Sequence, residues 1–391
     1  MIAPRPPLRI TIVQGAFLPV PPRLGGAVEK AWYALGREFA RRGHAVTHVG
    51  RDFPGLPENE HDAGVHYVRV RGYSTPASLW RLKLLDLAYS RRVRRVLPPA
   101  DVLVTNTFWL PLIERRADRG RIYVHVARFP KGQLKFYPRR SILQTVSSPI
   151  ENAIRDTVPD SEDRISVVPY PLSSTYLVSP EMSPEREILY AGRVHPEKGV
   201  HLLVKAFLKL RAAGFTEWKL RIVGPWATRE GGGGEAYHRE LLQLAAPAGD
   251  SVIFTGPVFD EQQLVNYYRR AAVFAYPSLA ERGETFGLAV LEAMAAGCAP
   301  VISSLPCFMD FVRPAENGIV FDHRDSEPSD RLADALAALL RDDCTRDQLR
   351  QAAWETARLY ALEDVADRFL ADFFALRGSG VLPANHLVGA T

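Results

Sequence analysis

The chain has 391 residues, 47% of them hydrophobic and 24% charged, enough apolar material for large cores and a length that suits two or more domains. No apolar run approaches the length needed to cross a membrane, and the start Met-Ile-Ala-Pro-Arg-Pro-Pro lacks the apolar h-region of a signal peptide. Cys298, Cys307 and Cys344 form no Cys-x-x-Cys pair and read as reduced thiols, so the expectation is a soluble cytoplasmic enzyme. The formal charge of +5 hides an asymmetry: residues 1–170 hold 27 basic against 15 acidic residues, and the remainder 22 against 29.

Strands and helices alternate through both halves, which predicts α/β domains with parallel sheets flanked by helices. Arg9-Ile-Thr-Ile-Val opens the first half, Gly25-Gly26 follows, and then comes a helix whose apolar stripe is Ala31, Leu35 and Phe39, ended by Gly43. Further strands are predicted at 45–49, 65–70, 102–105, 122–126 and 165–168. Residues 170–187, with three prolines, read as an interdomain linker. The second sheet takes strands at 188–191, 220–223, 252–254, 273–276 and 300–303. Residues 231–234 read as a flexible glycine loop without chemistry of its own. The domains are expected at 1–170 and 171–361, followed by an amphipathic helix at 362–376 and a tail frayed from Gly378.

Glu284 and Glu292 bracket Glu-Thr-Phe-Gly-Leu-Ala-Val-Leu-Glu-Ala-Met-Ala-Ala-Gly, a loop-to-helix junction with a carboxylate on each side. Gly287 lets a ligand approach the backbone, and the amides after it open a helix whose N-terminal end favours an anion such as phosphate. On that helix Glu292 has Leu288, Ala289, Ala295 and Ala296 three or four positions away, so mostly small side chains leave room beside its carboxylate. That carboxylate can accept both hydroxyls of a ribose. Taken alone, an ordinary amphipathic helix accounts for the stretch equally well. The second constellation changes that balance. A short apolar strand, Ile-Leu-Tyr-Ala, runs into Gly192-Arg193-Val-His-Pro-Glu-Lys198-Gly199 and then a helix, so a planar cation and a point cation share one strand-to-helix loop. Together they can neutralise a diphosphate without a metal, and no Asp-x-Asp metal pair occurs in the chain.

These motifs, with the Arg-Gly-His-x-Val turn at 42–46, His125 at a strand end and Tyr276-Pro-Ser, resemble the retaining GT-B glycosyltransferases of family GT4 in order and spacing over most of the chain. The resemblance implies two Rossmann-like domains with parallel sheets facing across a cleft, the last helix crossing back to the first domain. It implies transfer of a sugar, with retained configuration, from a nucleoside diphosphate sugar as co-substrate, with no other cofactor. By the same pattern Arg193 and Lys198 hold the diphosphate, with Gly25, Gly26 and Gly192 close to it. Glu292 holds the ribose, the loop of Glu284, Thr285, Phe286, Gly287 and Leu288 holds the sugar ring, and His125 lies beside the reacting carbon. The catalytic set is then His125, Glu284, Arg193 and Lys198, with no metal. The acceptor is a hydroxyl compound, sugar, lipid-linked or small, for which Asn106 and Arg128 are weaker candidates. Nucleic acid is not an expected partner, while the basic first domain suits peripheral contact with an anionic membrane at residues 81–140.

The chain departs from the family at two places. Tyr170-Pro171 stands where Asn-Gly is usual, and Ser304-Leu-Pro-Cys-Phe-Met-Asp310 where Gly-Gly-x-Pro-Glu is common. Both bear on which base and sugar are accepted. Two other classes stay open: a sugar-nucleotide 2-epimerase on the same fold, which needs further acid and base groups, and a non-catalytic sugar-nucleotide or polyanion binder. A dinucleotide-dependent dehydrogenase is disfavoured, because no Gly-x-Gly-x-x-Gly follows the first strand.

Overall fold

The computed structural model describes residues 6–180, 184–378 and 382. They form two compact units, one of residues up to Pro171 together with those from Leu362, the other of Leu172–Ala361. The described part of the first unit runs β1 (Arg9–Val13), α1 (Ala27–Arg41), β2 (Ala45–Arg51), β3 (Asn59–Asp62), β4 (Val65–Val70), α2 (Leu79–Val96), β5 (Val102–Thr105), α3 (Leu110–Ile113), β6 (Arg121–His125), β7 (Ile142–Thr145), α4 (Ser148–Thr157) and β8 (Ile165–Val167). Its sheet has the order β3-β4-β2-β1-β5-β6-β7-β8, parallel except for the β3–β4 edge hairpin. β5, β6 and β7 are buried or nearly so along their whole length, as parallel strands covered on both faces must be, and this is why β5 and β6 read as apolar runs, whereas β7 was not predicted. The unpredicted β3 is polar, Asn-Glu-His-Asp, and is held at the edge by a two-residue turn, Ala63-Gly64, with both φ angles positive.

The second unit runs β9 (Glu185–Ala191), α5 (Val200–Ala212), β10 (Lys219–Val223), α6 (Gly234–Ala245), β11 (Val252–Gly256), α7 (Glu261–Arg270), β12 (Ala271–Tyr276), α8 (Leu288–Ala295), β13 (Ala299–Ser303), β14 (Ile319–Phe321), α9 (Pro328–Arg341) and α10 (Asp343–Arg358). Its sheet is parallel, with the order β11-β10-β9-β12-β13-β14. β9 and β12 are neighbours at the centre, where the strand order changes direction, so the loops after both open at one point of the sheet edge. Such a switch point is where open α/β sheets bind ligands.

α11 (Leu362–Gly378) belongs to the first unit. Val365, Phe369 and Phe373 enter the same core as Ile10, Trp32 and Phe39. Its Asp372 is buried and accepts from the hydroxyls of Tyr123, at 2.6 Å, and Ser166. Burial raises the pKa of that carboxyl, and the two hydroxyls oppose the shift. The predicted tail beyond Gly378 lies outside the described residues, apart from residue 382, as does 181–183 of the predicted linker. Most of that linker is in fact placed: Tyr170 is buried, and the Leu172 N–H donates to Tyr360 O at 2.8 Å.

Candidate functional site

In the second unit the two predicted motifs meet. β9 ends at Ala191, Gly192 and Arg193 turn outward, and a short helical turn, Pro196–Lys198, leads into α5. Lys198 is buried on that turn, and its Nζ donates to Glu284 Oε2 at 2.6 Å, with side-chain exposures of 6% and 12%. The ammonium also lies 5.9 Å from the centre of the Tyr276 ring, and Ser278 Oγ donates to the same carboxylate oxygen at 3.1 Å. Two residues read separately, one for phosphate and one for sugar hydroxyls, thus form one ion pair. An ammonium has three donors, so a phosphate oxygen can share Nζ without breaking the pair.

Arg193 sits at the rim. Its guanidinium donates to Gly231 O at 2.7 Å and to Glu197 Oε1 at 2.8 Å. The Gly231–Gly234 segment is therefore a packed support. The Gly233 N–H donates to Val194 O, and a Cβ on Gly232 would lie 2.2 Å from the Trp226 backbone, so the predicted flexible loop is replaced by one pinned against the β9 turn. Close packing of backbone on backbone is what the run of glycines serves.

The Glu284–Glu292 stretch folds as the sequence implies, with one refinement. Gly287 has φ +93°, and a Cβ there would lie 2.4 Å from the Phe308 ring, so glycine is required by both backbone and space. α8 starts immediately after it. Of the eight helical residues, Leu288, Ala289 and Glu292 are half-buried and the other five are buried, so Glu292 stands on the single open face of a core helix. Tyr268 donates its hydroxyl to Glu292 Oε2 at 3.4 Å. Phe286 points the other way, into a cluster with Phe311 and Tyr360, so its backbone and not its ring is offered to a ligand, and Thr285 beside it is half-buried.

The first unit holds His125 at the end of β6, 5% exposed. Its Nδ1 lies 2.5 Å from Gln144 Oε1, and the Gln144 amide donates to the carbonyls of Thr145 and Val168. With both amide hydrogens committed, Oε1 can only accept, so Nδ1 carries the hydrogen and Nε2 is left as an acceptor. The Tyr170 hydroxyl, 3.3 Å away, donates to that Nε2, and the Trp32 ring packs edge-on at 5.6 Å between centroids. Burial pulls the imidazole pKa down to about 4, outweighing the Gln144 bond, so the ring is neutral at ordinary pH. Gln144 and Tyr170 were absent from the sequence candidates. The strand Ile-Leu-Gln-Thr at 142–145 was not among those predicted, and the pairing of His125 with Gln144 follows from the β6–β7 register.

Gly25 and Gly26 precede α1 as expected; Gly25 is open, but Gly26 is crowded by an acid. Glu29, 6% exposed, folds back so that a Cβ on Gly26 would lie 2.2 Å from its Oε2, and φ at Gly26 is +97°. Burial raises the Glu29 pKa, with its own backbone N–H and Arg128 opposing. A second anion at this helix start meets either a carboxylate or a protonated acid that can donate to it. Asn106 lies against Gly15 with its Oδ1 buried, and Arg128 is exposed.

Two parallel α/β units, the second carrying a cation pair and two carboxylates at its switch point, define a protein of the GT-B class. The model of the family described as "Glycosyl transferases group 1" matches residues 178–356, and that of the "Glycosyl transferase 4-like domain" matches residues 26–158. The chain belongs to this family of glycosyltransferases. It is 33% identical over 190 residues to a D-inositol 3-phosphate glycosyltransferase of Nocardioides, covering 47% of this chain and 40% of that protein. It is 26% identical to a lipopolysaccharide 1,2-N-acetylglucosaminetransferase of Salmonella typhimurium, over 90% of this chain and 94% of that one. The structure of a sucrose-phosphate synthase from Thermosynechococcus elongatus shares the fold, with a TM-score of 0.75 at 20% identity over 95% of this chain and 100% of that chain.

Proposed function

We propose that the chain moves a sugar from a UDP- or GDP-linked donor to a hydroxyl acceptor, with retained anomeric configuration and without a metal ion. The observation that carries this reading is the Lys198–Glu284 ion pair joining the segments that follow β9 and β12, with Arg193 on the first and Glu292 on the helix that follows the second. Breaking the anomeric bond puts negative charge on the departing diphosphate. Lys198, Arg193 and the amides opening α8 supply positive charge to it from fixed positions. Glu292 accepts the ribose hydroxyls on its open face, and Glu284, held by Lys198, Ser278 and Tyr276, orients the sugar. The departing phosphate takes the acceptor proton, so no protein nucleophile is required. His125 is neutral, with its Nε2 already accepting from the Tyr170 hydroxyl, and is assigned no role as an acid.

The lipopolysaccharide transferase, similar over nearly its full length, supports a saccharide or lipid-linked acceptor. The basic first unit supports an acceptor presented at an anionic membrane. The test is turnover of an α-linked donor in EDTA, with the product linkage read from its NMR coupling constant. An α-product formed in EDTA is expected. A β-product, or activity lost in EDTA and restored by magnesium or manganese, contradicts the reading.

A further inference from the structure

α2 carries an exposed face that the transfer chemistry does not use. Its inner face packs Tyr89 and Val93 into the core, whereas Trp80 is 80% exposed and Leu79 and Leu84 are each 64% exposed. Single exposed apolar side chains are ordinary, but three within two turns of one helix are not. The spacing 80, 84, 91, 95 places Trp80, Leu84, Arg91 and Arg95 on one stripe, about 22 Å long from end to end. One end of the stripe is apolar and the other cationic.

The surroundings continue the pattern. Residues 71–99 hold seven lysines and arginines and a single acid, Asp86, which is buried and accepts from the Phe108 and Trp109 N–H groups. Trp109 Nε1 donates to Lys83 O at 2.8 Å, and the Tyr137 hydroxyl donates to Phe108 O at 3.1 Å. These bonds tie α2 to the segment before Tyr137, where Phe136 is 73% exposed. Residues 127–140 contain five lysines and arginines and no acid.

We propose that the N-terminal half of α2 and the segment around Phe136 form a docking surface for an anionic lipid bilayer, with Leu79, Trp80, Leu84 and Phe136 entering the interface and Arg91 and Arg95 meeting the headgroups. This deepens the acceptor reading above. A bilayer interface rewards both halves of the pattern, because aromatic and aliphatic side chains partition below the headgroups while cations are drawn to anionic lipid. A polyanion such as nucleic acid engages the cations and leaves Leu79 and Leu84 in water. A second protein copy engages the apolar end and sets like charges against each other.

The full-length protein is sedimented at low salt with vesicles of phosphatidylcholine alone or mixed with phosphatidylglycerol. The wild type should bind the mixed vesicles and release them as salt rises. Trp80→Ser with Leu84→Ser, both at exposed positions, should lower partitioning at least about tenfold, as should Arg91→Glu with Arg95→Glu. Sugar-nucleotide turnover in solution should be unchanged in both, which separates this surface from the donor site. Unaltered binding by the Trp80/Leu84 variant overturns the proposal. So does equal binding to neutral vesicles, no binding at low salt, or a wild-type dimer that the same variant converts to monomer.

Discussion

Removing Lys198 tests the join between the two donor motifs. The Lys198→Ala change deletes an ammonium that is 6% exposed and leaves the Glu284 carboxylate, 12% exposed, with hydroxyl partners such as Ser278. Breaking one side of a buried pair costs about 3–5 kcal/mol, and the residual solvent access of Glu284 sets the expectation at the low end, about 3 kcal/mol. For a unit of this size that is a fall of about 6–12 °C in the transition of the second unit. Lys198→Met combined with Glu284→Gln removes both charges and should cost about 1 kcal/mol, so the two positions are strongly coupled. Calorimetry on the wild type, Lys198→Met, Glu284→Gln and the double variant measures that coupling. A nucleoside diphosphate at a hundredfold excess over its Kd should add about 2.7 kcal/mol to the wild type and far less to Lys198→Ala. Additive single effects, or equal stabilisation of all four proteins by the nucleotide, would refute the reasoning.

Gly287→Ala should destabilise the second unit by about 2 kcal/mol or more and weaken nucleotide binding, because the new Cβ would lie 2.4 Å from the Phe308 ring at φ +93°; unchanged denaturation and affinity would count against the Gly287 turn. Acid should destabilise the first unit through His48, which is stacked on Tyr67, has neither ring nitrogen hydrogen-bonded among the described residues, and is held neutral by burial with its pKa down to about 3. A depressed folded pKa gives stability present above about pH 6.5 and lost as pH falls, at up to about 1.4 kcal/mol per pH unit for His48 and again for His125. Asp86, raised by burial to about 6, acts in the opposite direction between pH 6 and 4, so the cleaner readout is His48→Phe, whose acid-side slope should be shallower by about 1.4 kcal/mol per unit; an identical slope excludes His48 as a source. Gln144→Leu should free the His125 tautomer, changing the nitrogen NMR shifts of that ring and lowering turnover, and should cost the first unit about 1–3 kcal/mol because the ring and two buried carbonyls lose their partner; unaltered shifts would remove Gln144 from the account.

The parts of the fold that sequence made legible are those where one force dominates. Runs such as Val-Leu-Val-Thr and Arg-Ile-Tyr-Val-His are strands because both faces of a parallel sheet are buried, and the Glu284–Glu292 helix starts at Gly287 because only glycine fits there. β3 escaped because an edge strand with a solvated face needs no apolar residues, and β14 because three residues carry no periodicity. In the site, types and spacing located Arg193, Lys198, Glu284 and Glu292, but pairing across 86 residues is a property of the β9–β12 neighbourhood and has no local signature. The same holds for His125, whose tautomer depends on Gln144 from the next strand and Tyr170 from beyond β8. Glu29, one turn from Gly26, was not among the sequence candidates, because its folding back toward Gly26 depends on burial that sequence does not encode locally.

The donor site itself is tested most directly by Glu292→Ala in a panel of UDP- and GDP-sugars, scoring nucleotide release with and without candidate acceptors. Glu292 lies half-buried on the one open face of α8, so truncation should leave the fold intact. Loss of a charged hydrogen bond to the ribose predicts a fall in kcat/KM on the order of a hundredfold for the donor the wild type prefers. Wild-type kinetics in Glu292→Ala, or no nucleotide released from any sugar nucleotide by the wild type, would contradict the site.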